Sequence, residues 1–298
     1  MRSSAVIAAL FAVACGRVGF DKLGGAADAA TIDDFDDLGE FGAGTLVTAL
    51  SNPASIDAHP SLTSDRLELY FSSDRGGQSD IWRSTRPNTG ADWGTPTRVD
   101  ELSTSDDEDS PELSADGLEI WIASRRPGGL GDYDIWTSTR PSRTSPWSEP
   151  VIVGELNSGD SDHSPAVDAQ GLTMVLTSRR SGGAGARDLY MATRSSIGGS
   201  WTPPVWLGDI NTSGQDADAF LDPSGRFLLF SSDRDSGNFR DLYIAERPDR
   251  FATFSTPRLL DDLNSERADA DPWVSPDLRN IVFSSSRTGD DEIFEASR

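Results

Sequence analysis

The chain alternates apolar and polar positions in short runs, and no stretch has the spacing of an amphipathic helix. In the clearest stretch these runs are approximately Ser110–Ser114, Leu118–Ser124, Tyr133–Ser138 and Pro150–Glu155. Turn-forming segments rich in Gly, Asp and Pro separate the runs. Alternation over so few residues predicts β-strands. Four such strands in succession predict one antiparallel sheet.

This unit recurs about every 50 residues, a spacing typical of propeller blades. Four prolines and one alanine occupy the same position and bring five copies into register. The aligned residues are Pro60, Pro111, Pro165, Ala219 and Pro272. Each copy cannot bury its apolar face alone and must pack against its neighbours. The sequence therefore predicts an all-β fold, a five-bladed β-propeller of four-stranded antiparallel blades.

The fifth copy ends soon after Asp291-Glu-Ile-Phe-Glu and lacks its outermost strand. The segment 41–51 resembles the segment 93–103, which contains the outermost strand of the first copy and the residues that lead into it. We therefore expect an N-terminal strand to complete the last blade and to close the ring without exposed sheet edges. The propeller is expected to span residues 41–298.

Residues 1–15 differ from the rest of the chain and predict a short secretory signal peptide. Arg2 precedes an apolar run from Ala5 to Val13, which is too short to cross a bilayer, and Cys15 is the only cysteine. Ala12-Val-Ala-Cys15 resembles the bacterial lipobox, which implies export, lipidation of Cys15 and a membrane-anchored lipoprotein in the outer membrane or facing the periplasm. The alternative is a chance cysteine beyond an ordinary cleavage site. The small, acidic residues 16–40 predict a flexible tether.

The net charge of −23 argues against nucleic acid as a partner, because phosphate binding requires clustered Lys and Arg. Cations, basic protein patches and neutral glycans remain as partners. The sequence has no nucleophile elbow, phosphate-binding loop or dinucleotide fingerprint.

Three segments carry a family resemblance: Asp109-Ser-Pro-Glu-Leu-Ser-Ala-Asp-Gly, Phe71-Ser-Ser-Asp-Arg-Gly-Gly and Asp134-Ile-Trp. They resemble the TolB-type, WD-like propeller repeat of bacterial envelope proteins. The resemblance covers about residues 41–298. It implies a platform outside the cytoplasm that binds another envelope protein or an extracellular ligand, and it implies no particular reaction.

An arginine follows the second strand of every copy, and an acid opens every third strand. Because a ligand site seldom needs five equal copies, we interpret them as structural Arg–carboxylate pairs and not as a ring of ligand contacts. The pairs are Arg75 with Asp80, Arg126 with Asp134, Arg180 with Asp188, Arg234 with Asp241, and Arg287 with Glu292.

Another acid lies three residues before each aligned position. These acids are Asp57, Glu108, Asp162, Asp216 and Asp269, and Asp109, Asp218 and Asp271 lie close by. The first strand of a blade lines the central channel, so we expect these groups to converge at one mouth as a candidate binding site. Mutual repulsion there would raise some pKa values or favour a bound cation such as calcium. Alternatively, each carboxylate accepts local backbone hydrogen bonds in a turn.

The two histidines, His59 and His163, lie in the same neighbourhood. A cation site built from histidine and carboxylate is conceivable. With neither a closely spaced histidine pair nor cysteine ligands, a transition metal is the weaker hypothesis, and no cofactor is predicted.

The preferred function is a non-catalytic, lipid-anchored envelope propeller that binds a protein or other ligand. The alternative is a glycoside hydrolase whose acid and base or nucleophile come from the channel mouth. Against it, acid–base chemistry requires unlike environments, and this ring repeats one residue type. The hydrolase candidates are Asp57, Glu108, Asp162 and Asp216.

A third hypothesis is carbohydrate binding without hydrolysis. The aromatic candidates for exposed contacts are Trp121, Trp206 and Trp273.

Overall fold

The structure is a computed structural model, and it describes Phe35 and residues 39–298 apart from 236 and 238. These residues form five four-stranded antiparallel sheets. In chain order the strands are β1 (Thr45–Leu46), β2 (Asp57–Leu62), β3 (Glu68–Ser73), β4 (Asp80–Thr85), β5 (Thr97–Arg98), β6 (Glu108–Leu113), β7 (Glu119–Ser124), β8 (Asp134–Thr139), β9 (Val151–Ile152), β10 (Asp162–Val167), β11 (Thr173–Ser178), β12 (Asp188–Thr193), β13 (Val205–Trp206), β14 (Asp216–Leu221), β15 (Phe227–Ser232), β16 (Asp241–Glu246), β17 (Arg258–Leu259), β18 (Asp269–Val274), β19 (Asn280–Ser285) and β20 (Glu292–Ser297).

Each sheet is one blade of a five-bladed β-propeller. The first four blades take four consecutive strands each, from β2 to β17, and the fifth takes β18, β19, β20 and β1. β1 pairs with β20, placing Thr45 opposite Glu295 and Leu46 opposite Phe294. The innermost strands contact one another around the axis, and β18 contacts β2. The predicted fold, blade number and closure by an N-terminal strand are all confirmed.

The hydrophobic core lies in layers between neighbouring blades. The layer between the first two blades contains Tyr70 and Ile81 from one, and Ile120, Trp136 and Trp147 from the other. The pattern repeats between the second and third blades and between the third and fourth. Because each strand alternates side chains between its two faces, both faces of a blade can enter such layers.

A second set of arginines, which the sequence analysis did not identify, holds the outer part of every blade. Each guanidinium lies over the aromatic ring that precedes the outermost strand, with centroid distances from 4.2 to 4.5 Å. Each also donates from Nε to a carbonyl oxygen of the turn between the first two strands. These arginines are Arg86, Arg140, Arg194, Arg247 and Arg298. The contacts combine cation–π attraction with a hydrogen bond.

The proposed signal peptide, the lipidation site Cys15 and nearly all of the tether lie outside the described residues. Phe35, near the end of the predicted tether, is buried against Phe41 and Phe227, so this residue belongs with the propeller. Within the part of the chain that the structure describes, no helix has the length and apolarity needed to cross a membrane.

Candidate functional site

The five acids expected at the channel mouth bind arginines inside their own blades instead. Asp57, Glu108, Asp162, Asp216 and Asp269 are each 0% exposed. In four blades an arginine Nη2 lies 2.5 to 2.7 Å from the carboxylate, and in the second blade this distance is 3.4 Å. The same nitrogen donates to a carbonyl oxygen of the segment entering the blade. We call this arrangement the arginine clamp.

The arginine clamp corrects two expectations. The five acids do not converge at the channel mouth, and the five arginines do not pair with the acids that open the third strands. Arg75, Arg126, Arg180, Arg234 and Arg287 have a structural position, but their partners are the acids three residues before the aligned position and not Asp80, Asp134, Asp188, Asp241 and Glu292. The second strand brings its last serine and the following arginine beside the start of the first strand. Its serine hydroxyl accepts a hydrogen bond from the arginine Nε.

The acids that open the third strands have other roles. Asp80 pairs with Arg98, with Oδ2 at 2.8 Å from Nε. Asp134 accepts hydrogen bonds from the backbone N–H groups of Leu130 and Gly131 in the preceding loop. Burial raises the pKa of both Asp241 and Glu292. Asp134 therefore acts within its loop, as in an Asx turn, whereas Asp80 binds the outermost strand of its blade.

A different ring of residues faces the channel. The residue directly before each aligned position has a left-handed backbone, with φ between 44° and 54°. A shift in strand register accompanies it in every blade, which is the mark of a β-bulge. The five residues line a channel cavity of about 30 Å³. They are His59, Ser110, Ser164, Asp218 and Asp271, and we call them the axial ring.

His59 connects blades across the channel. Its Nδ1 lies 2.9 Å from Oδ1 of Asp109, and its Nε2 lies 3.1 Å from Oδ1 of Asp271 and 3.7 Å from Oδ1 of Asp218. The side chains of Asp218 and Asp271 are only 3% and 6% exposed. Because both ring nitrogens face carboxylates, the doubly protonated imidazolium fits this position.

The pKa shifts agree with this geometry. Burial opposes the charge of His59, but Asp109 and Asp271 outweigh it and raise the pKa of His59 well above 6.5. In return, and against burial, His59 lowers the pKa of Asp109. Burial likewise opposes the charge of Asp218, but Arg240, His59 and Arg187 together outweigh it and lower the pKa of Asp218. Burial, together with the charge of Asp218, raises the pKa of Asp271 to about 6.

His163 lies near this cluster in a different state. Its ring packs at a tilt of 41° against Tyr133, with 4.4 Å between centroids, and its Nε2 lies 2.8 Å from the hydroxyl of Ser161. Burial lowers the pKa of His163 to about 4, so the ring is neutral at neutral pH. The two histidines therefore differ in charge, although both come from the innermost strands.

The site thus unites some of the predicted residues and separates others. His59, Asp109, Asp218 and Asp271 meet directly, whereas the five clamp acids do not reach the channel. Sequence reasoning missed Arg240, whose Nη1 donates to Oδ2 of Asp218. For the axial ring, the sequence did offer a signal. Ser, His or Asp precedes every aligned position, and Asp and His are enriched among residues with a left-handed backbone.

Three members of the cluster have the ligands for a cation. One donor atom each from His59, Asp218 and Asp271 lies within 4.8 Å of the others. A cation there would compete with the proton on His59 and with Arg240. Calcium also prefers six to eight oxygen ligands, so an imidazole suits it poorly. The expected cation remains a prediction, now confined to these residues.

Two of the three tryptophans expected to be exposed are buried. Trp121 is 1% exposed and packs between the second and third blades. Trp273 is 6% exposed and meets Phe220 edge to face inside the channel. Trp206, at 38% exposure, is accessible as expected.

The loops at the N-terminal ends of the innermost strands form a strongly acidic surface, which we call the acidic loop face. Exposed arginines on the same loops are fewer, namely Arg125, Arg179 and Arg267. Three exposed apolar side chains, Ile56, Leu130 and Phe239, lie on these loops. The exposed acids are Asp100, Glu101, Asp132, Glu155, Asp160, Asp209, Asp235, Asp261, Asp262, Glu266 and Asp290.

Comparison of the sequence with family models and with curated proteins gives no match. Among solved structures, the chain is similar to TolB from Agrobacterium tumefaciens, with a TM-score of 0.52, 17% identity, and coverage of 80% of this chain and 72% of that one. TolB from Acinetobacter baumannii gives a TM-score of 0.50 and 16% identity over 84% of this chain, which spans only 56% of that protein. The endo-arabinase from Bacteroides thetaiotaomicron gives 0.59 and 14% identity over 87% and 97% of the two chains.

These similarities bear on the fold alone, because all three identities are low. They support a TolB-like propeller. A fold shared by a TolB and an arabinase does not assign an activity, so function must be argued from the site.

Proposed function

We propose that this chain is a non-catalytic propeller of the bacterial envelope that binds a positively charged protein through the acidic loop face. The observation that carries the proposal is the excess of exposed acids over exposed arginines on the loops at one end of the propeller, which also carry the exposed side chains of Ile56, Leu130 and Phe239. Protein interfaces combine apolar side chains with polar and charged ones, and these loops offer both. The opposite charge of the partner would speed association.

The channel supports binding at the surface over hydrolysis inside it. The cavity at the axial ring, where the acids meet, measures about 30 Å³, far smaller than the roughly 300–1,000 Å³ of ordinary ligand sites. The hydrolase candidates Asp57, Glu108, Asp162 and Asp216 are fully buried and bound to arginines, which leaves them unable to reach a sugar. Hydrolysis of a glycan and binding of a glycan are the two alternative functions against which the proposal is tested.

The test compares two charge-neutralised variants of the purified propeller. In the first, Asp132, Asp160 and Asp235 of the acidic loop face become Asn. In the matched control, Asp92, Asp249 and Glu149, which are exposed at the opposite end or outer edge, become Asn, Asn and Gln. We expect envelope proteins captured by the wild type to be lost with the first variant and retained with the control. Their binding should weaken as salt is raised, because exposed charges are screened.

Two outcomes would refute the proposal. One is equal capture by both variants. The other is release of sugars from arabino-oligosaccharides by the wild type, with loss of that release when Asp109 is changed to Asn. Because Asp109 is not one of the clamp acids, this variant leaves the arginine clamps intact.

The lipid anchor gives a separate prediction. If Cys15 carries lipid, Cys15→Ala should move the protein from the membrane fraction to the soluble fraction, because several acyl chains anchor firmly and one short apolar run does not. Cell fractionation and the mass of the N-terminal peptide measure this. Retention of the variant in the membrane, or an unmodified cysteine in the wild type, would contradict lipidation.

A further inference from the structure

The end of the channel opposite to the acidic loop face is apolar. The last residue of each innermost strand lines it, one from each blade. These residues are Leu62, Leu113, Val167, Leu221 and Val274. Each is buried in the wall, with 7% exposure or less. Together they surround a cavity of about 190 Å³, which we call the apolar vestibule.

Small residues form the outer edge of the apolar vestibule, and larger ones form its floor. The edge consists of Ser64, Ala115, Ala169, Pro223 and Pro276. Phe220 and Trp273 contact each other at the floor, where the vestibule meets the axial-ring cavity. An apolar cavity of about 150 Å³ is large enough for benzene, so one six-membered ring or a short alkyl chain fits here.

Glu112 is the acidic group in this wall. It borders both the vestibule and the axial-ring cavity, so it lies at the waist of the channel. Its Oε2 accepts a hydrogen bond of 3.0 Å from the hydroxyl of Ser61, and its Oε1 accepts one of 3.2 Å from the backbone N–H of Val167. Both donors are neutral, in contrast to the arginine that binds each clamp acid. Burial raises the pKa of Glu112 to about 8.

Among the residues that the structure describes, Glu112 forms no ion pair, and its two hydrogen-bond donors are neutral. A carboxylate in an apolar site is costly unless a positive charge pairs with it. A ligand that carries an ammonium group could supply that charge, while its hydrocarbon part replaces water against the apolar wall.

We propose that the apolar vestibule binds a small primary amine, which enters ammonium first and places its nitrogen at Glu112 and its ring or short alkyl chain among the five strand-end side chains. The positions equivalent to Glu112 are Ser61, Ala166, Phe220 and Trp273, so only the second blade offers a carboxylate at this level. This inference does not depend on the proposed function, because it concerns the other end of the propeller.

The experiment measures binding of benzylamine and of benzyl alcohol to the full propeller by calorimetry. Because a hydrogen bond to a charged group exceeds one between neutral groups, benzylamine should bind about tenfold more tightly than the alcohol. Glu112→Gln keeps the shape and the hydrogen-bond acceptor, and it should abolish this preference while leaving the alcohol affinity unchanged. Ala115→Trp at the outer edge should block both ligands.

Circular dichroism must show that each variant remains folded. The Ala115→Trp change lies at an exposed position and tests the location of binding without altering the waist of the channel. The proposal is refuted if neither ligand binds the wild type, if the two ligands bind equally, or if the folded Glu112→Gln variant retains the preference for the amine.

Discussion

Replacement of His59 by glutamine is expected to lower the free energy of unfolding by about 3 kcal/mol at pH 6, because buried ion pairs that lose one partner cost about that much. The imidazolium lies between Asp109, Asp218 and Asp271, which come from three other blades. Its removal leaves Asp218 with Arg240 but leaves Asp271 beside a like charge. Equilibrium denaturation of both proteins measures the loss.

The same substitution has a predictable dependence on pH. The folded-state pKa of His59 is raised, so its contribution to stability is complete below the unfolded-state value of about 6.5. That contribution is lost as the pH rises through the higher folded-state pKa. The difference in stability between wild type and His59→Gln should therefore be largest in mild acid and shrink above neutral pH.

His163 provides the matched control. It is the only other histidine, it lies near the same channel mouth, and its lowered pKa keeps it neutral at pH 6. His163→Gln removes the ring contact with Tyr133 and one hydrogen bond, so we expect a loss of about 1 kcal/mol at pH 8. Because the folded-state pKa of His163 lies below the unfolded-state value of about 6.5, this loss should shrink toward pH 6, in the opposite direction to the loss at His59. Two results would show that His59 is not held as a cation. One is an equal loss of stability for the two variants at pH 6, and the other is a loss for His59→Gln that grows as the pH rises.

The sequence was sufficient for the fold because local and global signals agree within each copy. The aligned prolines, the alternation of short strands and the incomplete fifth copy each point to the same ring, and β1 pairs with β20 as this pattern requires. Repeats that can bury their apolar faces only against neighbours leave few other arrangements.

The site was harder to predict because strand alternation fails at the bulges. In a regular strand, Asp57 and His59 would point to the same face. The left-handed backbone at His59 breaks this relation, so Asp57 reaches Arg75 while His59 faces the channel. Polar residues before a proline gave a signal, but a single sequence does not reveal the sign of φ there.

Two residues that recur together in every copy need not bind each other. Arg180 and Asp188 recur together in sequence, yet Arg180 binds Asp162, which is farther away along the chain. The hairpin geometry decides this, since antiparallel pairing places Ser178 opposite Asp162 and positions the following turn beside it. Conversely, Glu112 shows no recurrence, and its environment emerged only from the packing of three innermost strands.

The arginine clamp gives the second large effect, and Asp162→Asn is its sharpest test. All four hydrogen-bond partners of Asp162 are donors: Nη2 of Arg180, the hydroxyl of Ser178, and the backbone N–H and hydroxyl of Ser158. An asparagine amide would direct its own N–H group at some of them and would leave a buried guanidinium unpaired. We expect a loss of about 3–5 kcal/mol in the free energy of unfolding, measured by denaturant titration.

A double-mutant cycle separates this partner from the one that the sequence suggested. Arg180→Met combined with Asp162→Asn should show a coupling free energy of about 1.5–3 kcal/mol, because each single variant already removes the shared interaction. Arg180→Met combined with Asp188→Asn should be additive to within about 0.5 kcal/mol, since Asp188 binds Ala184, Gly185 and Trp206. Stronger coupling to Asp188 than to Asp162 would contradict the clamp. Because the same geometry recurs in every blade, that result would also remove the explanation for the buried acids in the other four.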